Sequence, residues 1–127
     1  MKFTIELHDR PVPYQNNIRH GSRGFSYKTK RLKNYQELIA FYAKKQNIEL
    51  FEADYDNPFM LLLNFKLKNK THGDLDNLAK SVVDGLEGVL FNNDKFCNKM
   101  VLSYEYSDEW AIDVTMEKNI KKVLTLF

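Results

Sequence analysis

Between Phe59 and Leu86 the hydrophobic period switches from two residues to about 3.6, with only a few polar residues separating the two patterns. Phe59, Leu61, Leu63, Phe65 and Leu67 form one face of a strand expected over Phe59–Lys70. Its other face carries Met60, Leu62, Asn64, Lys66, Lys68 and Lys70, apolar at the start and basic at the end. Such a strand begins covered on both faces and emerges at Lys66 toward an anion or solvent. Leu75, Leu78, Ala79, Val82, Val83 and Leu86 then recur at i, i+3, i+4, i+7, i+8 and i+11, predicting an amphipathic helix to about Gly88. Gly85 weakens that helix by about 1 kcal/mol relative to Ala, so packing must compensate.

The flanking segments supply the remaining layers. Phe3, Ile5 and Leu7 alternate with Lys2, Thr4 and Glu6 as a half-buried strand, stopped by Pro11 and Pro13. Tyr14–Thr29 lacks a sustained period and reads as a long loop, with a short extended piece near Phe25 and Tyr27. Tyr35, Leu38, Ile39 and Tyr42 stripe one face of a helix over Leu32–Gln46. An acidic stretch, Ile48–Asn57, closes on the Asn57-Pro58 turn signal. Beyond the Asn92-Asn93-Asp94 turn, Lys99–Tyr106 and Trp110–Met116 alternate on either side of Ser107-Asp108-Glu109 and read as an antiparallel hairpin. Residues 118–127 read as a short tail with a helical turn. The expectation is an α+β fold in a single domain, 1–127. It has a four-stranded mixed sheet, two packed helices in the order β-α-β-α-β-β, and a long basic N-terminal loop.

Charge is distributed unevenly. Arg10 to Gln36 holds seven Lys and Arg, and all 17 carboxylates of the chain lie outside it. A basic segment set against an acidic remainder suggests a polyanion partner and a separate carboxylate site; a solvated loop is the plain alternative. The lone Cys97 forms no internal disulfide, and no apolar run is long enough to span a bilayer. The opening alternation does not resemble a secretion leader. A cytoplasmic protein without membrane contact is therefore expected. No zinc spacing links His8, His20 and His72, Cys97 lacks a CxxC partner, and no glycine-rich phosphate loop is present, so no small-molecule cofactor is expected. His72 reads as an exposed turn residue.

Chemistry concentrates at the strand–helix junction. Asp74 and Asp76 sit where a helix begins, and a capping role explains one such acid easily. Two repel each other unless a cation joins them. Asp94 lies in the turn beyond the helix, about 18 Å along its axis, so it meets Asp76 only if the following loop folds back. Carboxylates gathered there would suit Mg²⁺. Lys80 follows Asp76 by four residues and precedes Asp84 by four. That stripe reads as two surface ion pairs of about 0.2–0.5 kcal/mol each, or as Lys80 set beside the carboxylates to orient a phosphate.

The stretch Gly73-Asp74-Leu75-Asp76-Asn77-Leu78-Ala79-Lys80-Ser81-Val82-Val83-Asp84-Gly85-Leu86 resembles the RusA family of Holliday junction resolvases, whose pattern is D-x-D-N-x-x-K-x-x-x-D-x-L. The likeness spans roughly residues 2–117, with its specific part in 73–94. It implies a dimeric, Mg²⁺-dependent endodeoxyribonuclease, with Mn²⁺ a possible substitute, of the kind often carried by phages and prophages. Such an enzyme resolves four-way DNA junctions by paired symmetric nicks. By position it makes Asp74, Asp76 and Asp94 the metal-binding acids and Lys80 the essential basic residue, and it leaves Asp84 a supporting role. Where the family often has two adjacent acids in the turn, this chain has Asn93-Asp94. Arg19, Arg23, Lys28, Lys30, Arg31, Lys66, Lys68 and Lys70 are the expected DNA contacts, with Lys33 beside them. The competing readings are a non-catalytic DNA-binding or phage regulatory protein that keeps the fold, and a different phosphotransfer enzyme built on Asp-x-Asp.

Overall fold

The computed structural model describes residues 1–119. The expected helical turn of the tail therefore lies outside the described residues, apart from Lys118 and Asn119. The elements are β1 (Lys2–Leu7), β2 (Ile18–His20), β3 (Ser26–Lys28), α1 (Lys30–Lys45), β4 (Phe59–Leu67), α2 (Leu75–Leu86), β5 (Cys97–Tyr106) and β6 (Trp110–Lys118). The fold is α+β, with a four-stranded mixed sheet in the order β1-β6-β4-β5 and a separate two-stranded sheet, β2-β3. The loop expected over Tyr14–Thr29 is thus partly ordered, as a small antiparallel hairpin pairing Ile18 with Lys28 and His20 with Ser26.

One pairing differs from the sequence expectation. β5 and β6 are not partners: β4 lies between them, parallel to β5 and antiparallel to β6. Alternation reports which face a side chain takes, not which strand lies alongside. β4 buries Phe59, Leu61, Leu63, Phe65 and Leu67 almost completely and is best accommodated with a neighbour on each edge. The Ser107–Glu109 turn passes over its end, anchored where the Ser107 amide donates to Leu67 O at 2.8 Å.

Register places Phe3, Val114, Leu63 and Leu102 in one row across the sheet, with Ile5, Ile112, Phe65 and Tyr104 in the next. The buried members of these rows share one core with Leu32, Ile39, Leu78, Val82 and Leu86 of the two helices. The opposite face of β4 is only half-buried, and Lys66 there pairs with Glu109 (3.5 Å) and Asp113 (3.8 Å).

Gly85 gains its compensation at the crossing of the helices. A Cβ there would stand 3.3 Å from Ile39 Cβ and 3.4 Å from the Gln36 Cα, so the missing side chain lets α1 and α2 approach. Gly85→Leu is expected to cost about 1–3 kcal/mol through overpacking. Gly85→Ala should stay near parity, because its gain in helix propensity of about 1 kcal/mol offsets mild crowding. Urea unfolding of both variants checks the pair; equal stability would show that the helices have room to spare.

Candidate active site

Asp74 is the residue before the first turn of α2, with extended backbone (φ −65°, ψ 147°), and its side chain makes no capping hydrogen bond. The carboxylate is exposed and held by no internal partner among the described residues. Capping therefore does not account for it. Asp76, in the first helical turn, is likewise exposed and unbonded.

The chain beyond α2 does fold back. Gly88 adopts φ +84°, a conformation that glycine reaches without steric cost, and its amide donates to Phe91 O at 2.7 Å. Glu87 Oε1 then accepts from the Asp94 amide at 3.1 Å, and Asn93 Oδ1 accepts from the Lys95 amide at 3.0 Å. These bonds set Asp94 at the start of a 3-10 turn, facing a groove between α2 and β5. That groove, about 280 Å³, is lined by Asp76, Lys80, Asp84 and Asp94 over a floor that includes Met100 and Leu102. Asp74 is not among its lining residues. Among the described residues, no three His, Cys, Asp or Glu side chains gather closely enough to hold one metal ion. The geometry thus brings Asp76, Lys80 and Asp94 to one groove and places Asp74 at its helix entrance, without closing a three-acid cluster.

Neither helix-surface ion pair forms. Lys80 Nζ stands 4.6 Å from the centre of the Tyr14 ring instead, with Lys80 exposed at the edge of the groove it helps to line. Tyr14 is itself fixed to the helix start by its amide, which donates to Asn77 O at 3.2 Å. Asp84 accepts from Lys28 Nζ and from Gln36 Nε2, while Gln36 also donates to Ser81 O. Asp84 therefore fastens the β2–β3 hairpin to both helices, a partnership across 56 positions that helical spacing does not reveal.

Of the basic residues expected at DNA, Lys28 and Lys66 are spent on carboxylates. Arg19, Arg23, Lys30, Arg31, Lys68 and Lys70 are exposed and free of ion pairs among the described residues. His72, expected as an exposed turn residue, is half-buried in a cluster with Tyr104 and Tyr106, its ring centre 5.2 Å from that of Tyr104. Its Nδ1–H donates to Gly73 O (2.9 Å), so in the neutral ring Nε2 accepts from the Tyr106 hydroxyl (3.1 Å). Desolvation and the neighbouring Tyr104 raise the Tyr106 pKa, keeping that hydroxyl protonated. The alternation of exposed tyrosines on an outer strand is the signal that could have exposed this cluster. Burial pushes the Cys97 thiol up, so it is no ready nucleophile. No helix among the described residues is long and apolar enough to cross a membrane.

Residues 10–117, most of the chain, match the family model described as endodeoxyribonuclease RusA. Among curated proteins none matches this sequence.

Proposed function

From the chain's membership of the RusA endodeoxyribonuclease family, we propose that it resolves four-way DNA junctions by metal-dependent, paired phosphodiester hydrolysis. One observation carries the reading to these residues. The side chains of Asp74, Asp76, Lys80 and Asp94 are exposed at one helix and its adjoining groove, and none of them makes an internal hydrogen bond or ion pair among the described residues. Four charged groups left open at a packed helix and the turn that follows it are what a charged substrate and a cation require.

The donor set fits Mg²⁺, with Mn²⁺ as a substitute. Mg²⁺ commonly takes one or two carboxylates and completes its octahedron with waters and substrate phosphate oxygens. Asp74 and Asp76 would supply those carboxylates, and Asp94 would have to be drawn in from the groove wall, since the three acids do not converge among the described residues. When bound, such an ion supplies Lewis acidity at the phosphate and lowers the pKa of water. Lys80 offers positive charge to the scissile phosphate or its leaving 3′ oxygen. Arg19, Arg23, Lys30, Arg31, Lys68 and Lys70 neutralise backbone charge, so affinity falls steeply with salt. Paired nicks need two sites related by a two-fold axis, hence a homodimer.

The absence of a three-acid cluster among the described residues favours the second reading, a non-catalytic junction binder. A synthetic four-way junction labelled on each strand separates the two. The expected result is nicking at symmetric positions in opposing strands, dependent on Mg²⁺, stopped by EDTA and resistant to linear duplex competitor. Binding without nicking in Mg²⁺ or Mn²⁺ would establish the second reading.

A further inference from the structure

We propose that the arginine-lined cavity beside the strand–helix junction seats one backbone phosphate of the bound DNA strand, next to the linkage that is cut. The idea rests on the nuclease reading above and adds a separate anchoring site to it. The cavity, about 550 Å³, lies between the chain after β1, the start of α1 and the loop leading to Asp74. Arg10, Arg19 and Arg31 line it together with Thr29, Thr71 and His72, and among the described residues no Asp or Glu does. None of the three guanidinium groups has a carboxylate partner within 4.0 Å among the described residues.

Three arginines lining one hollow without a carboxylate partner among the described residues make it electropositive, and guanidinium forks match phosphate oxygens in geometry. The walls are built before any ligand arrives. Asn17 is buried, donates to Pro13 O and accepts from Thr29 Oγ1, each at 2.9 Å. The Thr29 amide donates to Asn17 O, also at 2.9 Å. Arg19 is fixed by its donation to Asn16 O at 2.7 Å.

The opposite wall explains Gly73. A Cβ there would stand 3.0 Å from Pro13 Cβ, tighter than ordinary contact, so glycine lets the loop close on Pro13 without either giving way. Closure brings the cavity to the residue immediately before Asp74. A phosphate seated there would place the strand's next linkages at the helix entrance, where Asp74 and Asp76 stand. The first turn of α1, which supplies Arg31, also carries Lys30 and no acid, against the usual dipole preference.

Arg10→Gln tests the proposal, because Arg10 is exposed and its substitution leaves the core untouched. Inorganic phosphate is titrated while arginine Nε–H resonances are followed by NMR. In the parent, the signals of Arg10, Arg19 and Arg31 should shift together and saturate; in Arg10→Gln the midpoint should rise at least tenfold. Equal response in both proteins would overturn the site. Junctions carrying one neutral methylphosphonate at a time then tie it to DNA. One position near the cut should weaken parent binding about tenfold and leave Arg10→Gln binding unchanged. If no position behaves so, the assignment to DNA is wrong. Strands that stay intact in Mg²⁺ throughout would sink the nuclease reading and leave the phosphate site standing.

Discussion

Asp76→Asn is expected to cut junctions at least about 10²–10³-fold more slowly than the parent, a loss of roughly 2.7–4 kcal/mol of transition-state stabilisation. Its affinity for uncut junction should hold or rise. The exchange keeps shape and removes one negative charge from a surface that must receive phosphates. Asp76 is exposed and bonds to nothing internal among the described residues, so folding stability should move by no more than about 0.5 kcal/mol. The combination matters more than the rate alone: lost cleavage, unchanged melting and undiminished binding together mark a residue acting on the reaction. Single-turnover cleavage, gel-shift titration and thermal melting supply the three readings. A variant that nicks at the parent rate removes Asp76 from the chemistry and, with it, the metal assignment at the helix start.

Much of this arrangement can be read from residues that repeat. The switch of period at Thr71–Asp74 located β4 and α2, and the apolar stripe of Tyr35, Leu38, Ile39 and Tyr42 located α1. What periodicity omits is adjacency. β5 alternates as an outer strand should, yet nothing in its alternation says that β4 rather than β6 lies beside it. The same gap hides Asp84: four residues from Lys80 it looks like half of a helical ion pair, whereas Lys28 reaches it from a hairpin 56 positions away. It also hides Lys66, whose alternation shows the open face but not the acids awaiting it on β6 and the preceding turn. The path of Asp94 depends on a glycine with positive φ and a single Glu87 bond, local choices that no hydrophobic pattern encodes.

Lys80→Ala carries the other large effect. If Lys80 were half of two helix-surface ion pairs, its loss would cost a few tenths of a kcal/mol for each and leave activity intact. Those pairs do not form. The ammonium rests 4.6 Å from the Tyr14 ring centre, with Tyr14 tied to the first turn of α2. Removing an exposed cation–π contact costs about 0.5–1 kcal/mol, a few degrees of melting temperature at most. Removing a positive charge from the developing charge of a phosphoryl transition state should slow cleavage about 10²-fold or more. The two ledgers differ enough to be read separately, and Lys80→Arg adds a third reading. Arginine retains the charge and the stacking on Tyr14 but not the compact ammonium, so partial recovery of rate with full recovery of stability is expected. Tyr14→Leu isolates the platform: it should lower the rate less than Lys80→Ala, because the charge survives while its position loosens. Were Lys80→Ala to cut as fast as the parent while melting lower, Lys80 would be a packing residue on Tyr14, and the groove would lose the cation that, among the described residues lining it, distinguishes it from an acidic patch.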